Sequence, residues 1–131
     1  MRPTVVLCHG SSQSKDWGFF PELAERLARA GFAVASFSFV NPPPEPVQQL
    51  GLILDSLRVD TCGLLGYEGG GAVALERGAT DGRVGAVVTW NAPPAVIDAV
   101  GPVRVPWLVM HDTALEQALR ASIDWFMRHL P

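Results

Sequence analysis

The chain alternates short continuous apolar runs with longer stretches in which apolar residues recur every three or four positions. Thr4–Cys8 (TVVLC) is such a run, rich in β-branched residues, and predicts a strand buried on both faces. Phe20, Leu23, Ala24, Leu27 and Ala28 then repeat at helical spacing. Glu22→Arg26 and Glu25→Arg29 add i,i+4 pairs in the favourable order, and Gly31 is placed to end that helix as its C′ residue. The next apolar run, Phe32–Phe39, predicts a second strand. Asn41–Pro46 holds four prolines and suits neither a helix nor a central strand. Val47, Leu50, Ile53, Leu54 and Leu57 predict a second amphipathic helix. Thr61–Gly66 reads as a third strand, and a small-residue helix follows from Gly69 to about Arg77. Val84–Trp90 and Pro106–His111 are the fourth and fifth strands, separated by a stretch, Asn91–Arg104, that its three prolines predict to be irregular. From about Ala114, the spacing of Leu115, Leu119, Ile123, Phe126 and Leu130 predicts a last helix.

Strands alternating with helices imply a parallel sheet with right-handed crossovers, covered on both faces. Residues 1–131 therefore read as one three-layer α/β/α domain, and 48% apolar content is enough for its core. A net charge of −3 without a basic block argues against nucleic acid as partner, and no apolar stretch approaches a membrane span. Only five residues separate Pro3 from the polar loop at His9, too few for a secretory apolar segment. Together with two cysteines, Cys8 and Cys62, that read as buried free thiols, this predicts a cytoplasmic protein. No Cys/His cluster has zinc-ligand spacing, so neither a metal nor a cofactor is expected.

The most informative stretch is Leu64-Leu65-Gly66-Tyr67-Glu68-Gly69-Gly70-Gly71-Ala72. A residue raised on a sharp strand-to-helix turn needs small neighbours two positions to either side, and here these are Gly66 and Gly70. The segment resembles the G-x-S-x-G nucleophile elbow of α/β-hydrolases, with Glu68 where serine would stand. With Tyr67 it is most similar to the dienelactone-hydrolase branch, whose elbow carries cysteine. Val6-Leu7-Cys8-His9-Gly10-Ser11 resembles the strand and loop that supply one oxyanion-hole amide in that family. Ala30–Val34, Val87–Pro93 and Pro106–His111 resemble its other strand approaches, in the family's order. The resemblance implies that the five strands correspond to the family's third to seventh and lie in the order 2-1-3-4-5, as a truncated α/β-hydrolase core. It also implies that the backbone amides of Ser11 and Gly69 flank Glu68 as an oxyanion-hole-like pair. The strained turn predicts a positive φ at Glu68.

The resemblance also exposes what is missing. The family's acid follows its strand in a segment like HGTADE, whereas this chain reads His111-Asp112-Thr113-Ala114-Leu115-Glu116, placing Leu115 at the acid position. The family's histidine belongs to a later loop, but here the chain passes directly to its final helix. His111 and Asp112, at the C-terminal end of the fifth strand, are the compensating candidates, while His9 and His129 read as structural. Carboxylates serve as nucleophiles in some enzymes, but a glutamate at a helix start is also a simple helix-capping charge.

The expected function is that of an esterase- or dienelactone-hydrolase-like protein, inactive or vestigial, with a small ester-like molecule as its candidate ligand. Two alternatives stand beside it. One is a flavodoxin-like module holding a phosphate or small molecule on His9–Ser14; the other is an oligomeric scaffold. A Gly69-x-Gly71-x-x-Ala74 match to a dinucleotide fingerprint lacks the acid expected after the next strand. The family's next strand is absent, so Trp107–His111 is expected at a sheet edge. This run is apolar on both faces and uncharged along its length, which predicts a homodimer through it.

Overall fold

A computed structural model of the chain describes residues 2–9, 18–37, 39 and 45–130. Five strands, β1 (Thr4–Cys8), β2 (Ala33–Phe37), β3 (Cys62–Tyr67), β4 (Val84–Trp90) and β5 (Trp107–Met110), form one sheet. All neighbours are parallel, and the order is β2-β1-β3-β4-β5. Five helices connect and follow them: α1 (Phe20–Arg29), α2 (Pro46–Leu57), α3 (Gly69–Thr80), α4 (Pro94–Val100) and α5 (Leu115–His129). The order reverses between β1 and β3, so the C-terminal ends of these two strands border the crevice where doubly wound sheets bind ligands.

Side-chain alternation along the strands divides the core. Val5, Leu7, Leu65, Ala86 and Val88 face α1 and α5, meeting Leu23, Leu27, Leu119 and Phe126. Val6, Cys8, Leu64 and Val87 face the other way, against Leu50 and Leu54 of α2 and Ala74 and Leu75 of α3. Val84 and Val87 share this second face although an odd number of steps separates them. A register shift accounts for this: Cys62 pairs with Val84 but Gly63 pairs with Ala86, so Gly85 is an extra residue that flips the alternation. Gly63 gives α5 its seat. A Cβ there would lie 2.6 Å from both Phe126 and Leu130, so only glycine admits these two side chains against the sheet.

Helix ends follow local chemistry. Gly31 has φ +99° and stands one residue past the cap of α1. Its N–H donates to the Ala28 carbonyl (3.0 Å) and that of Phe32 to Leu27 (3.1 Å), the paired bonds of a Schellman turn. The stretch expected to be irregular, Asn91–Arg104, instead contains α4. Its prolines do not prevent this, because Pro93 caps the helix and Pro94 is the first helical residue, where a missing N–H costs nothing. Ile97 and Val100, one turn apart, then pack against the α2–α3 side of the core. Likewise α3 runs past Arg77 to Thr80.

The turn from α3 into β4 is held by charge. Arg83 donates from Nε to Asp81 Oδ1 (3.0 Å) and from Nη2 to Oδ2 (2.8 Å), a bidentate pair, and its backbone N–H also reaches Oδ1 (3.0 Å). Arg83 Nη1 continues to Asp55 of α2 (2.8 Å), and Arg77 of α3 approaches Asp81 at 3.4 Å. These bonds hold the Asp81 carboxyl down at about 2. Asp81, with its side chain only 8% exposed, thus links three elements. At the opposite side Glu116 takes both guanidinium nitrogens of Arg26 at 2.8 Å and ties α5 to α1.

Because the folded-state value for Asp81 lies below the roughly 3.9 of an unfolded chain, its contribution to stability is complete above that value. It is lost as pH falls toward about 2. Asp81→Asn is expected to remove on the order of 2 kcal/mol at neutral pH and to flatten the acid limb of the stability curve. Urea unfolding of both proteins from about pH 7 to about pH 2 measures this; parallel curves would refute it.

Candidate functional site

The β3–α3 turn is the elbow expected from the glycines. Glu68, between strand and helix, has φ +51° and ψ −120°, a conformation costing about 1–3 kcal/mol in a non-glycine residue. Two backbone bonds hold it: Glu68 N–H donates to the Trp90 carbonyl (2.9 Å), and Gly71 N–H to the Glu68 carbonyl (2.9 Å). The flanking glycines have a measurable cause. A Cβ on Gly66 would fall 2.2 Å from the Gly70 carbonyl oxygen. A Cβ on Gly70 would fall 2.3 Å and 2.4 Å from the carbonyl oxygens of Cys8 and His9. Helix α3 therefore starts in direct backbone contact with the end of β1.

Gly69 is the first residue of α3, so its N–H is one of the helix-start amides with no carbonyl partner within the helix. Such an end attracts negative charge, which suits both the Glu68 carboxylate and an oxyanion. Ser11, expected to bring the second amide, lies outside the described residues, as does the rest of the loop through Asp16. Glu68 itself is exposed. Its chain neighbour Tyr67 joins an aromatic cluster: Phe19 lies 4.1 Å from Trp90 and 5.2 Å from Tyr67 between ring centroids.

Left-handed backbone recurs along this rim. Asn91, after β4, has φ +55°, and Asp112, after β5, has φ +54°. Asn91 N–H donates to the Met110 carbonyl (2.9 Å), and Asp112 N–H donates to the Asn91 side-chain oxygen (2.9 Å). Three successive strands thus end in a non-glycine residue with positive φ, joined by hydrogen bonds across the strand ends. Aspartate, like asparagine, tolerates this conformation better than most residues. Asn91 was not singled out from the sequence. Its signal was its residue type, since asparagine tolerates the left-handed region better than most.

The candidate histidines do not assemble with Glu68 into a triad. His111 and Asp112 approach each other at 3.9 Å, beyond hydrogen-bond range, with side chains 59% and 88% exposed. They stand at the end of β5, two strands and so about 10 Å of sheet from β3. His9 is buried and accepts the Phe39 N–H on Nε2 (3.1 Å), tying the end of β1 to the segment after β2. His129 sits in the last turn of α5, its ring 4.3 Å from that of Trp125. That end of α5 lies by the start of β3, at the rim opposite Glu68. Leu115, at the family's acid position, is exposed at the start of α5, and Glu116 is engaged by Arg26 and Arg120. Cys8 and Cys62 are buried free thiols, and burial pushes Cys62 up to about 11. Among the described residues no three His, Cys, Asp or Glu side chains group as metal ligands. A groove of about 360 Å³ opens between α2 and α3, lined by Gln48, Gly51, Leu52, Asp55, Arg77 and Arg83. It lies toward the far end of α3 from Glu68 and belongs to the ionic network.

Two substitutions separate backbone from side chain at the elbow. Gly70→Ala is expected to cost about 3 kcal/mol despite alanine's better helix propensity, because its Cβ meets carbonyl oxygens that cannot move aside. Glu68→Gly is expected to leave stability unchanged or raise it by up to about 1 kcal/mol, since glycine adopts this φ without strain. Thermal unfolding of both variants beside the parent checks this, and a large loss in Glu68→Gly would show that the carboxylate, not the turn, is structural.

No protein-family model matches the chain, and no curated protein sequence matches it. Solved structures do. A dienelactone hydrolase of Anabaena variabilis superposes with a TM-score of 0.75 at 18% identity, over 98% of this chain and 87% of that one. A monoacylglycerol lipase of Paleococcus ferrophilus gives 0.57 at 22% identity, over 73% of this chain and 44% of its own. A bottromycin epimerase gives 0.53 at 24% identity, over 68% and 40%. The chain is thus nearly coextensive with the first and spans less than half of the other two. At these identities the likeness is one of fold, and with the sheet order and the elbow backbone already described, this chain has the α/β-hydrolase fold.

Proposed function

We infer that the chain is an esterase- or dienelactone-hydrolase-like protein that keeps the elbow as a binding surface and has lost covalent ester hydrolysis. One observation carries this reading: the elbow backbone is intact at φ +51°, while the residue it presents is Glu68. A hydroxyl or thiol nucleophile needs a general base within hydrogen-bond reach. In this chain His9 is committed to Phe39, and His129 stands at the other rim. The remaining groups at the site still suit a small ester-like molecule. The Gly69 amide suits developing negative charge at a helix start, and the half-buried Phe19 and Tyr67, packed on the buried Trp90, would supply apolar surface for an acyl or aryl group. The Ser11 amide completes the oxyanion-hole-like pair in this proposal. A cytoplasmic location fits the two buried reduced thiols, and no described helix is long and apolar enough to cross a membrane.

Hydrolysis of p-nitrophenyl acetate tests the reading. The parent protein and Glu68→Ala are expected to hydrolyse it equally slowly, and Glu68→Ser is expected to gain no efficient turnover. Rapid hydrolysis by Glu68→Ser above the Glu68→Ala control would reveal a base poised at the elbow and overturn the proposal. Loss of slow turnover in Glu68→Ala alone would instead assign chemistry to the carboxylate.

A further inference from the structure

Strand β5 is an edge strand: it pairs with β4, and among the described residues nothing pairs with its other side. The side it leaves open follows from two bonds. Val87 N–H donates to the Pro106 carbonyl and Asn91 N–H to the Met110 carbonyl, both at 2.9 Å. Peptide groups alternate along a strand, so residues 106, 108 and 110 address β4, and Trp107 and Val109 turn their N–H and C=O groups to the open edge. Natural edges are usually guarded by lysine, by proline at an outward position or by a bulge. This edge has none of them: its residues are Trp107, Leu108, Val109 and Met110, and Pro106 faces β4. Val109 is 51% exposed, an apolar β-branched side chain beside unpaired backbone.

We propose that β5 pairs antiparallel with β5 of a second copy of this chain, about a two-fold axis at Leu108, to form one continuous sheet through both molecules. Two independent features select this register. The first is hydrogen bonding. With the axis at Leu108, Trp107 of each copy stands opposite Val109 of the other, and each such pair exchanges two N–H···O bonds. Every edge-facing group of the two residues is then satisfied. On the same face of the sheet, Trp107 stands directly opposite the exposed Val109 of the other copy, an aromatic–β-branched pair of the kind that stabilises sheets. The second feature is charge. Beyond the paired strands, the same two-fold brings the Arg104 end of one copy's β5 to the Asp112 end of the other's, twice by symmetry. Both residues are exposed. Arg104 has no ion-pair partner among the described residues, and Asp112 has only the exposed 3.9 Å approach of His111. An isologous contact needs a self-complementary surface, and a basic and an acidic residue equidistant from Leu108 provide one.

Light scattering and sedimentation of the full chain at high micromolar concentration test this. The expected species has twice the 14.1 kDa of one chain. Val109→Pro deletes an edge-facing N–H and no bond within the monomer, so it is expected to be monomeric with an unchanged circular dichroism spectrum. Arg104→Glu sets like charges against Asp112 and is expected to raise the dimer dissociation constant by about tenfold or more. Adding Asp112→Asn, which suits the left-handed backbone there, is expected to recover part of that loss. A monomeric parent protein, or a dimer unaffected by Val109→Pro, would overturn the pairing, and a dimer indifferent to Arg104→Glu would overturn the register.

Discussion

Backbone meeting backbone at the start of α3 is the contact on which the rest of the structure depends. The carbonyl oxygens of Cys8 and His9 occupy the space where a Gly70 side chain would be, and the Gly70 carbonyl occupies that of Gly66. No side chain can mediate such a contact, so its tolerance is a fraction of an ångström. It sets the depth at which α3 lies on the sheet. That depth forces the chain to reverse within one residue after β3, and the reversal puts Glu68 into the left-handed region. The strain at Glu68 is therefore a consequence of close packing, and it persists whichever side chain occupies the position.

The two rims of the sheet are held by different physics. At the C-terminal rim, Glu68, Asn91 and Asp112 are linked by backbone and amide hydrogen bonds, and little there is buried charge. At the N-terminal rim, Asp81 joins Arg77 and Arg83, and Arg83 reaches Asp55. The network anchors the far end of α3, while its first turn is positioned by the glycine contacts and the backbone bonds of Glu68 and Gly71. In an α/β sheet the C-terminal rim is the side that meets ligands. Here that rim carries the strained Glu68 turn and the helix-start amide of Gly69. Fold and chemistry rest on different atoms: the elbow is made by glycines, whereas a hydrolytic reaction needs a side chain and a base.

Much of the fold was legible in the sequence because it follows from period and composition. Thr4–Cys8 and Val84–Trp90 are strands over the residues that their apolar runs span, and the α1 periodicity ends where Gly31 stands. Helix α4 was not legible, because proline counts oppose a helix whereas proline position at its first turn permits one. Of the site, the glycines at 66 and 70 announced a tight turn. Asn91 offered only its residue type, since its role depends on Met110 and Asp112 across the strand ends.

By itself, then, the sequence determined the parallel α/β alternation and the elbow, both of them properties of local pattern and residue identity. Only the tertiary structure decided which elements meet. It committed His9 to Phe39, placed His129 at the far rim and set His111 beside Asp112 without a hydrogen bond. It also gathered Asp55, Arg77, Asp81 and Arg83 into one network. These pairings join residues up to tens of positions apart, and their geometry is set by sheet register and helix depth. Neither is encoded in any local window of the chain: both emerge when side chains of distant segments fill one another's space.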